Sequence, residues 1–221
     1  MSVMCSVYVP EGIVLATDSR MTVGLKNAKD DQAPNTLFSI SDNAQKIVLL
    51  SKVRVGITAC GAGILGEKAV ADFLRVFEIE EVTPYDTVSD VTKKLQQYAL
   101  RYFPQVHFFA AGYDGDEPFM YDVNRESKRW NIKDGKIRYA ASWSGEQQAI
   151  TKLMNADPQM LINFNIMPLK DAIDFAEFLI DLTIKYQRFE SRLKTCGGDI
   201  DILVLTKDDA FWYRHKIYKR A

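Results

Sequence analysis

Two rhythms of apolar positions divide the chain: short β-rich runs, and longer stretches with apolar residues three and four apart. The run Val3–Val9 is rich in β-formers, Pro10-Glu11-Gly12 supplies turn chemistry, and residues 13–17 form a second apolar run ending in Asp18-Ser19-Arg20. Folding the chain back about Pro10-Glu11 pairs residues whose numbers sum to roughly 20 or 21, which lays Ser2 beside Asp18. Residues 21–35 are polar and without period, and read as a mobile surface loop. Strands over 46–50 and 53–60 follow, joined by Ser51-Lys52, and Lys46 opens the first of them as a residue outside the core. Gly61-Ala62-Gly63 then leads into a helical pattern over 64–78, with Leu65, Ala69, Phe73 and Val76-Phe77 on one face.

A second helix is predicted over 85–102, started by Thr83-Pro84 and closed by Pro104. Strands over 106–112, 118–123, 128–132 and 137–143 are separated by turn residues and read as an antiparallel meander. His107 lies in the first of them without a second ligand nearby, and reads as a packed strand histidine. Ser144-Gly145 turns the chain into a helix over 146–154, and Pro168 opens another with Leu169, Ala172-Ile173, Ala176, Leu179-Ile180 and Ile184 on its buried stripe. Gly197-Gly198 introduces a strand over 200–206, Asp208-Asp209 turns, and 210–218 reads as the closing strand. The order is strands, two helices, strands, two helices, strands. An α+β architecture satisfies it, a four-layer αββα sandwich of two mainly antiparallel sheets between two helical layers.

Composition narrows the function classes. The 221 residues contain no Pro-, Gly- or Ser-rich linker, so a single domain over 1–221 is expected. With 28 basic against 29 acidic residues, no field favours nucleic acid or an anionic membrane. Three widely spaced cysteines and two histidines suggest neither a disulfide framework nor a metal site. No apolar run reaches membrane-spanning length and the start lacks a signal-peptide layout, so a cytoplasmic protein is expected.

The chemistry begins at the chain start. Ser2 follows Met1 directly, and removal of Met1 would put a hydroxyl and a free α-amine on one residue. An α-amine has a reference pKa of about 7.7–8.0, so it can take a proton from the neighbouring hydroxyl and make Ser2 a nucleophile with its own base. On position alone Ser2 reads simply as a tolerated second residue on a frayed terminus, and only the rest of the chain can overturn that. The Gly61-Ala62-Gly63 turn presents backbone N–H groups suited to a developing oxyanion, although such turns also serve purely steric ends.

Motifs spread through most of the chain resemble the N-terminal nucleophile hydrolases, within them the proteasome β-subunit branch: residues 12–20 (GIVLATDSR), Gln45-Lys46-Ile47, residues 56–61 (GITACG), Ser144-Gly145, and residues 197–202 (GGDIDI). The resemblance is to the bacterial ancestral-β-subunit type, since the Gly-Asp-Gly-Gln strand end of the ATPase-coupled peptidase subunit is absent. It implies the αββα sandwich, a nucleophile sixteen positions before the acidic residue of Asp-Ser-Arg, which selects Ser2, and Asp18 as that acidic residue. It further implies Lys46 as the lysine that keeps the nucleophile's surroundings positive, Gly61 as the oxyanion donor, and Ser144 as the serine near the amine. No cofactor is implied. The implied partners are a peptide or amide substrate and further copies of the chain in a ring or stacked assembly, with an ATPase partner left open.

Three departures stand out, the first being that the nucleophile is Ser where the family usually has Thr, which keeps the hydroxyl and loses a methyl group that restrains its rotamer. The segment between Arg20 and Lys46 is longer than usual, and where the family has Asp and Ser before Gly-Gly this chain has Leu193-Lys194-Thr195-Cys196. Two alternatives to a peptidase therefore stay open: a catalytically silent structural subunit of a proteasome-like ring, and a hydrolase for a small amide.

Overall fold

The computed structural model describes residues 2–25 and 36–217. In chain order the strands and helices are β1 (Val3–Val9), β2 (Gly12–Thr17), β3 (Met21–Leu25), β4 (Thr36–Ser41), β5 (Ile47–Leu50), β6 (Val55–Gly61), β7 (Ile64–Leu65), β8 (Lys68–Ala69), α1 (Val70–Glu81) and α2 (Val88–Tyr98). There follow β9 (Val106–Asp114), β10 (Glu117–Val123), β11 (Ser127–Arg129), β12 (Ile132–Lys133), β13 (Lys136–Ile137), β14 (Ala140–Gly145), α3 (Gln148–Met154), α4 (Leu169–Arg188), β15 (Asp201–Leu205) and β16 (Ala210–Arg214). The architecture is α+β.

Two five-stranded sheets carry the packing. One runs β14-β1-β2-β15-β16 and the other β11-β10-β9-β6-β5. All seven residues of β1 are buried, because its two faces meet different neighbours. Val3, Cys5 and Val7 pack with Ala172, Ala176 and Ile180 of α4, while Met4 and Tyr8 pack with Ile47, Phe109 and Met120 of the other sheet. That second sheet turns its opposite face to Phe73, Leu74 and Phe77 of α1 and to Val91 and Leu95 of α2. The turn between β1 and β2 also starts α4: the Glu11 carboxylate accepts the N–H of Leu169 at 2.7 Å, where the positive end of the helix dipole favours an anion. No helix among the described residues is long and apolar enough to cross a membrane.

Several local expectations are corrected. Residues 64–69 do not begin a helix: β7 and β8 pair with each other, and α1 starts at Val70 after the chain turns at Gly66-Glu67. The second helix starts at Val88, where Thr87 and Asp90 form a reciprocal capping box that outweighs Thr83-Pro84 as a start signal. Within the predicted loop over 21–35, residues 21–25 are a strand paired with β4, and residues 26–35 lie outside the described residues. The meander over 106–143 holds only through β11; β14 leaves that sheet and pairs with β1. This departure positions the candidate site, since it brings residues 144–146 against the chain start.

Candidate active site

The hairpin of β1 and β2 has a register sum of 21 throughout, from Val9↔Gly12 to Met4↔Thr17. Asp18 therefore comes opposite Val3, one residue beyond the Ser2 that the sequence reading laid beside it: the Asp18 N–H reaches the Val3 carbonyl at 3.4 Å, and Asp18 Oδ1 accepts the Val3 N–H at 3.2 Å. From the other side, β14 holds the same chain start. Val3 lies opposite Gly145, and the Glu146 N–H donates to the Ser2 carbonyl at 2.8 Å. Gly145 has φ +89°, and a Cβ there would lie 1.9 Å from the Ser2 carbonyl oxygen, so no other residue permits this approach. Ser2 is 6% exposed.

Asp18 is fully buried and its carboxylate is saturated with donors. Oδ1 takes Lys46 Nζ at 2.7 Å besides the Val3 N–H, and Oδ2 takes the N–H groups of Arg20 at 3.1 Å and Gly197 at 3.0 Å. The first and last motifs of the sequence thus meet on one carboxylate. Lys46 is itself buried, which corrects the expectation that it lies outside the core. Burying both ions together is tolerable because each neutralises the other and backbone donors fill the remaining lone pairs.

Ser2, Lys46, Gly61 and the apolar side chains Met21, Ala44 and Ala59 line one cavity. Gly61 ends β6 at φ +96°, and a Cβ there would lie 2.3 Å from the Gln105 carbonyl oxygen, so backbone geometry explains this glycine. Cys60 joins the same wall. Ser144 lies opposite Met4, and its hydroxyl hydrogen-bonds His107 Nδ1 at 2.7 Å and accepts from Cys60 Sγ at 3.6 Å. The structure therefore brings Ser2, Lys46 and Gly61 around one cavity, with Asp18 buried behind Lys46 and Ser144 on the adjoining strand.

Two groups escaped the sequence reading. Glu146, buried beside the chain start, accepts a bidentate pair from Arg192 at 3.1 and 2.8 Å and the Thr195 hydroxyl at 3.0 Å. The Arg192 hydrogen bonds hold its carboxyl below the usual range against the opposing effect of burial. Thr195 stands in the segment flagged for lacking the family's Asp and Ser, and the carboxylate it meets comes from a position 49 residues earlier. The second group is His107 with Asp122, whose oxygen lies 2.8 Å from Nε2. The His107–Asp122 contact forms across the β9/β10 hairpin, whereas its link to Ser144 and the placing of Glu146 beside the chain start depend on β14 crossing to β1. Among the described residues no group of His, Cys, Asp or Glu could hold a metal ion.

The chain is similar to a proteasome β subunit. It is 25% identical over 218 residues to proteasome subunit beta 1 of Pyrobaculum calidifontis, covering 96% of this chain and 93% of that protein. No family model matches. The similarity supports kinship with the proteasome-like N-terminal nucleophile hydrolases at that general level.

Proposed function

We propose that the chain is an N-terminal serine peptidase or amidohydrolase of the proteasome β-subunit type, a single αββα sandwich domain over 1–221 that works in the cytoplasm. The observation that carries this reading is the convergence of motif residues far apart in sequence: Lys46, bound to Asp18, shares a cavity wall with Ser2 and Gly61. A merely tolerated second residue on a frayed terminus has no need of such surroundings.

The steps follow from the chemistry of these groups. Once Met1 is removed, the Ser2 amine accepts the Ser2 hydroxyl proton, and Oγ attacks the carbonyl of a peptide or amide bond. The nearby Lys46 ammonium favours the developing alkoxide, and the Gly61 N–H stabilises the oxyanion. The protonated amine then gives its proton to the leaving nitrogen, and the acyl group on Ser2 Oγ is released by a water that the same amine deprotonates. Asp18 holds Lys46 in place. Glu146, fixed by Arg192 and Thr195, supplies the carboxylate support that the family draws from its Asp and Ser. No cofactor enters these steps.

The reading includes a ring or stacked assembly of identical copies and leaves an ATPase partner open. A catalytically silent ring subunit is the second reading, favoured by Leu193-Lys194-Thr195-Cys196 at the position of the usual pair. Intact mass before and after a covalent inhibitor directed at N-terminal hydroxyls separates the two. The peptidase reading requires a species without Met1 that gains one inhibitor mass on Ser2. Active material that quantitatively retains Met1 would refute the mechanism, and a well-assembled protein that takes up no inhibitor and cleaves no peptide points to the silent subunit.

A further inference from the structure

The steps proposed at Ser2 leave one chain of polar side chains without a role. It starts at Asp122 on β10, runs through His107 on β9, and ends at Ser144 on β14, crossing from one five-stranded sheet to the other. Asp122 is buried, and its Oδ1 also accepts from Asn124 Nδ2 at 3.0 Å. His107 pairs directly with Cys60 of β6, and its ring packs edge-on against Phe109 with centroids 5.3 Å apart.

The hydrogen positions follow from the partners. A carboxylate only accepts, so Nε2 carries a hydrogen toward Asp122, leaving Nδ1 as the end that changes with protonation. In a neutral ring Nδ1 accepts the Ser144 O–H; in an imidazolium Nδ1–H donates to Ser144 Oγ, and the hydroxyl hydrogen turns elsewhere.

The other direction is toward the chain start. Met4 faces the inter-sheet core, so Ser2, two residues earlier on the strand, presents its side chain to the same face. Ser144 lies opposite Met4 and shares that face, which makes Ser2 and Ser144 diagonal neighbours across the β1/β14 pair. Cys60, within reach of Ser144 Oγ, lines the same cavity as Ser2. We take a hydroxyl so placed to reach the amino end of Ser2 directly or through one water.

We infer that His107 is a positioning residue for the reaction at Ser2: held by Asp122, it sets the direction of the Ser144 O–H and thereby whether the Ser2 amine lone pair is free to act as base. The inference rests on the Ser2 reading above. With the ring protonated, the Ser144 hydrogen points to the amine and occupies its lone pair. With the ring neutral, the Ser144 O–H stays turned toward Nδ1, the Ser144 oxygen accepts an amine N–H, and the lone pair is left for the Ser2 hydroxyl. The groups facing the ring are Asp122 from β10, Cys60 from β6 and Ser144 from β14. Burial opposes charge on His107, but Asp122 and Cys60 outweigh it and raise the pKa to about 9. The switch therefore acts on the alkaline side of neutrality.

The test measures kcat and KM on a fluorogenic peptide from about pH 6 to 10 for the Met1-free protein, His107→Gln and Asp122→Asn, with thermal melting alongside. Glutamine keeps a polar contact but cannot titrate. His107→Gln is expected to lose kcat on the order of tenfold to a hundredfold, to keep KM within about twofold, and to lose the rise in kcat near pH 9. Asp122→Asn is expected to move that rise to lower pH. A His107→Gln protein that melts normally and keeps the wild-type kcat and pH profile overturns the inference. If His107→Gln does not fold, an unmoved alkaline limb in Asp122→Asn overturns it instead. A wild type that neither cleaves peptides nor takes up the inhibitor removes the Ser2 reading and this inference with it, whereas an active wild type with unmoved variants removes this inference alone.

Discussion

Lys46 tests whether the site is also part of what holds the fold together. Its ammonium lies 2.7 Å from Asp18 Oδ1, with the two side chains 6% and 0% exposed. Lys46→Ala removes the counter-charge and leaves a carboxylate that cannot reach water. Breaking a buried pair from one side costs about 3–5 kcal/mol, and the N–H donors of Val3, Arg20 and Gly197 that remain on Asp18 place this case near the lower end. At roughly 2–4 °C per kcal/mol for a chain of this size, the melting temperature should fall by about 6–12 °C. Removing the charge from both sides with Lys46→Met and Asp18→Asn should recover much of the loss, giving a coupling energy on the order of 2 kcal/mol in a double-mutant cycle. Urea unfolding of the four proteins of the cycle and of Lys46→Ala measures both effects, with peptide cleavage followed on the same samples. A Lys46→Ala protein within about 0.5 kcal/mol of wild type would refute the reasoning. Lost activity in Lys46→Ala counts in favour of a chemical role for Lys46 only after correction for the folded fraction.

Gly145→Ala should cost roughly 1–3 kcal/mol from its positive φ and displace the Ser2 carbonyl, so activity should fall further than the folded population; urea midpoints and kcat measured together separate the two effects. Glu146 is held below its ordinary pKa of 4.5, chiefly by Arg192, so its contribution is fully present above that pH and is lost as the pH falls below it toward the depressed value. Glu146→Gln should flatten the acid limb of stability and cost about 1.5–3 kcal/mol at neutral pH, read from urea midpoints across the acid range. Phe77→Ala, at a fully buried position between α1 and the β9/β6 sheet, should cost about 3–5 kcal/mol without changing kcat per folded molecule, as thermal melts and active-site titration would show.

Legibility followed locality. The β1/β2 hairpin could be read because its turn residues and both partner strands lie within twenty residues, and the Asp18 and Gly197 motifs because each sits at a strand end. The stripe of α4 was legible down to Leu179-Ile180, where burial repeats every three to four residues. Leu65 and Ala69 also have helical spacing, but the turn at Gly66-Glu67 puts them on a two-stranded hairpin, a case where periodicity over six residues fits both structures. Met21–Leu25 looked like loop because its partner Thr36–Ser41 lies beyond a polar stretch. Glu146 and Thr195 were invisible as a site because their contact spans 49 positions in sequence, and His107 and Asp122 because, although they meet across the β9/β10 hairpin, each taken singly is an ordinary strand residue.

The hardest choice left by the sequence was whether Ser2 is a frayed second residue or a held nucleophile, and the backbone answers part of it. A frayed start would leave the first N–H and C=O groups to solvent. Here the Ser2 carbonyl is taken by Glu146, the Val3 N–H by Asp18, and the Val3 carbonyl by the Asp18 N–H and the Thr17 hydroxyl at 2.9 Å. Order therefore extends to Ser2 itself, through contacts from β2 on one side and the end of β14 on the other. An acyl-transfer nucleophile needs this, since misplacement of about 1 Å can cost on the order of a hundredfold in rate. A silent subunit would use the same buried lysine and carboxylate only to hold its first strand, so structural order alone does not separate the two readings and activity must. The same anchoring makes the chemistry and the stability of the chain start inseparable: substitutions at Asp18, Lys46 or Gly145 should loosen the first strand as they slow the reaction, whereas Ser2→Ala should abolish turnover with the melting temperature nearly unchanged.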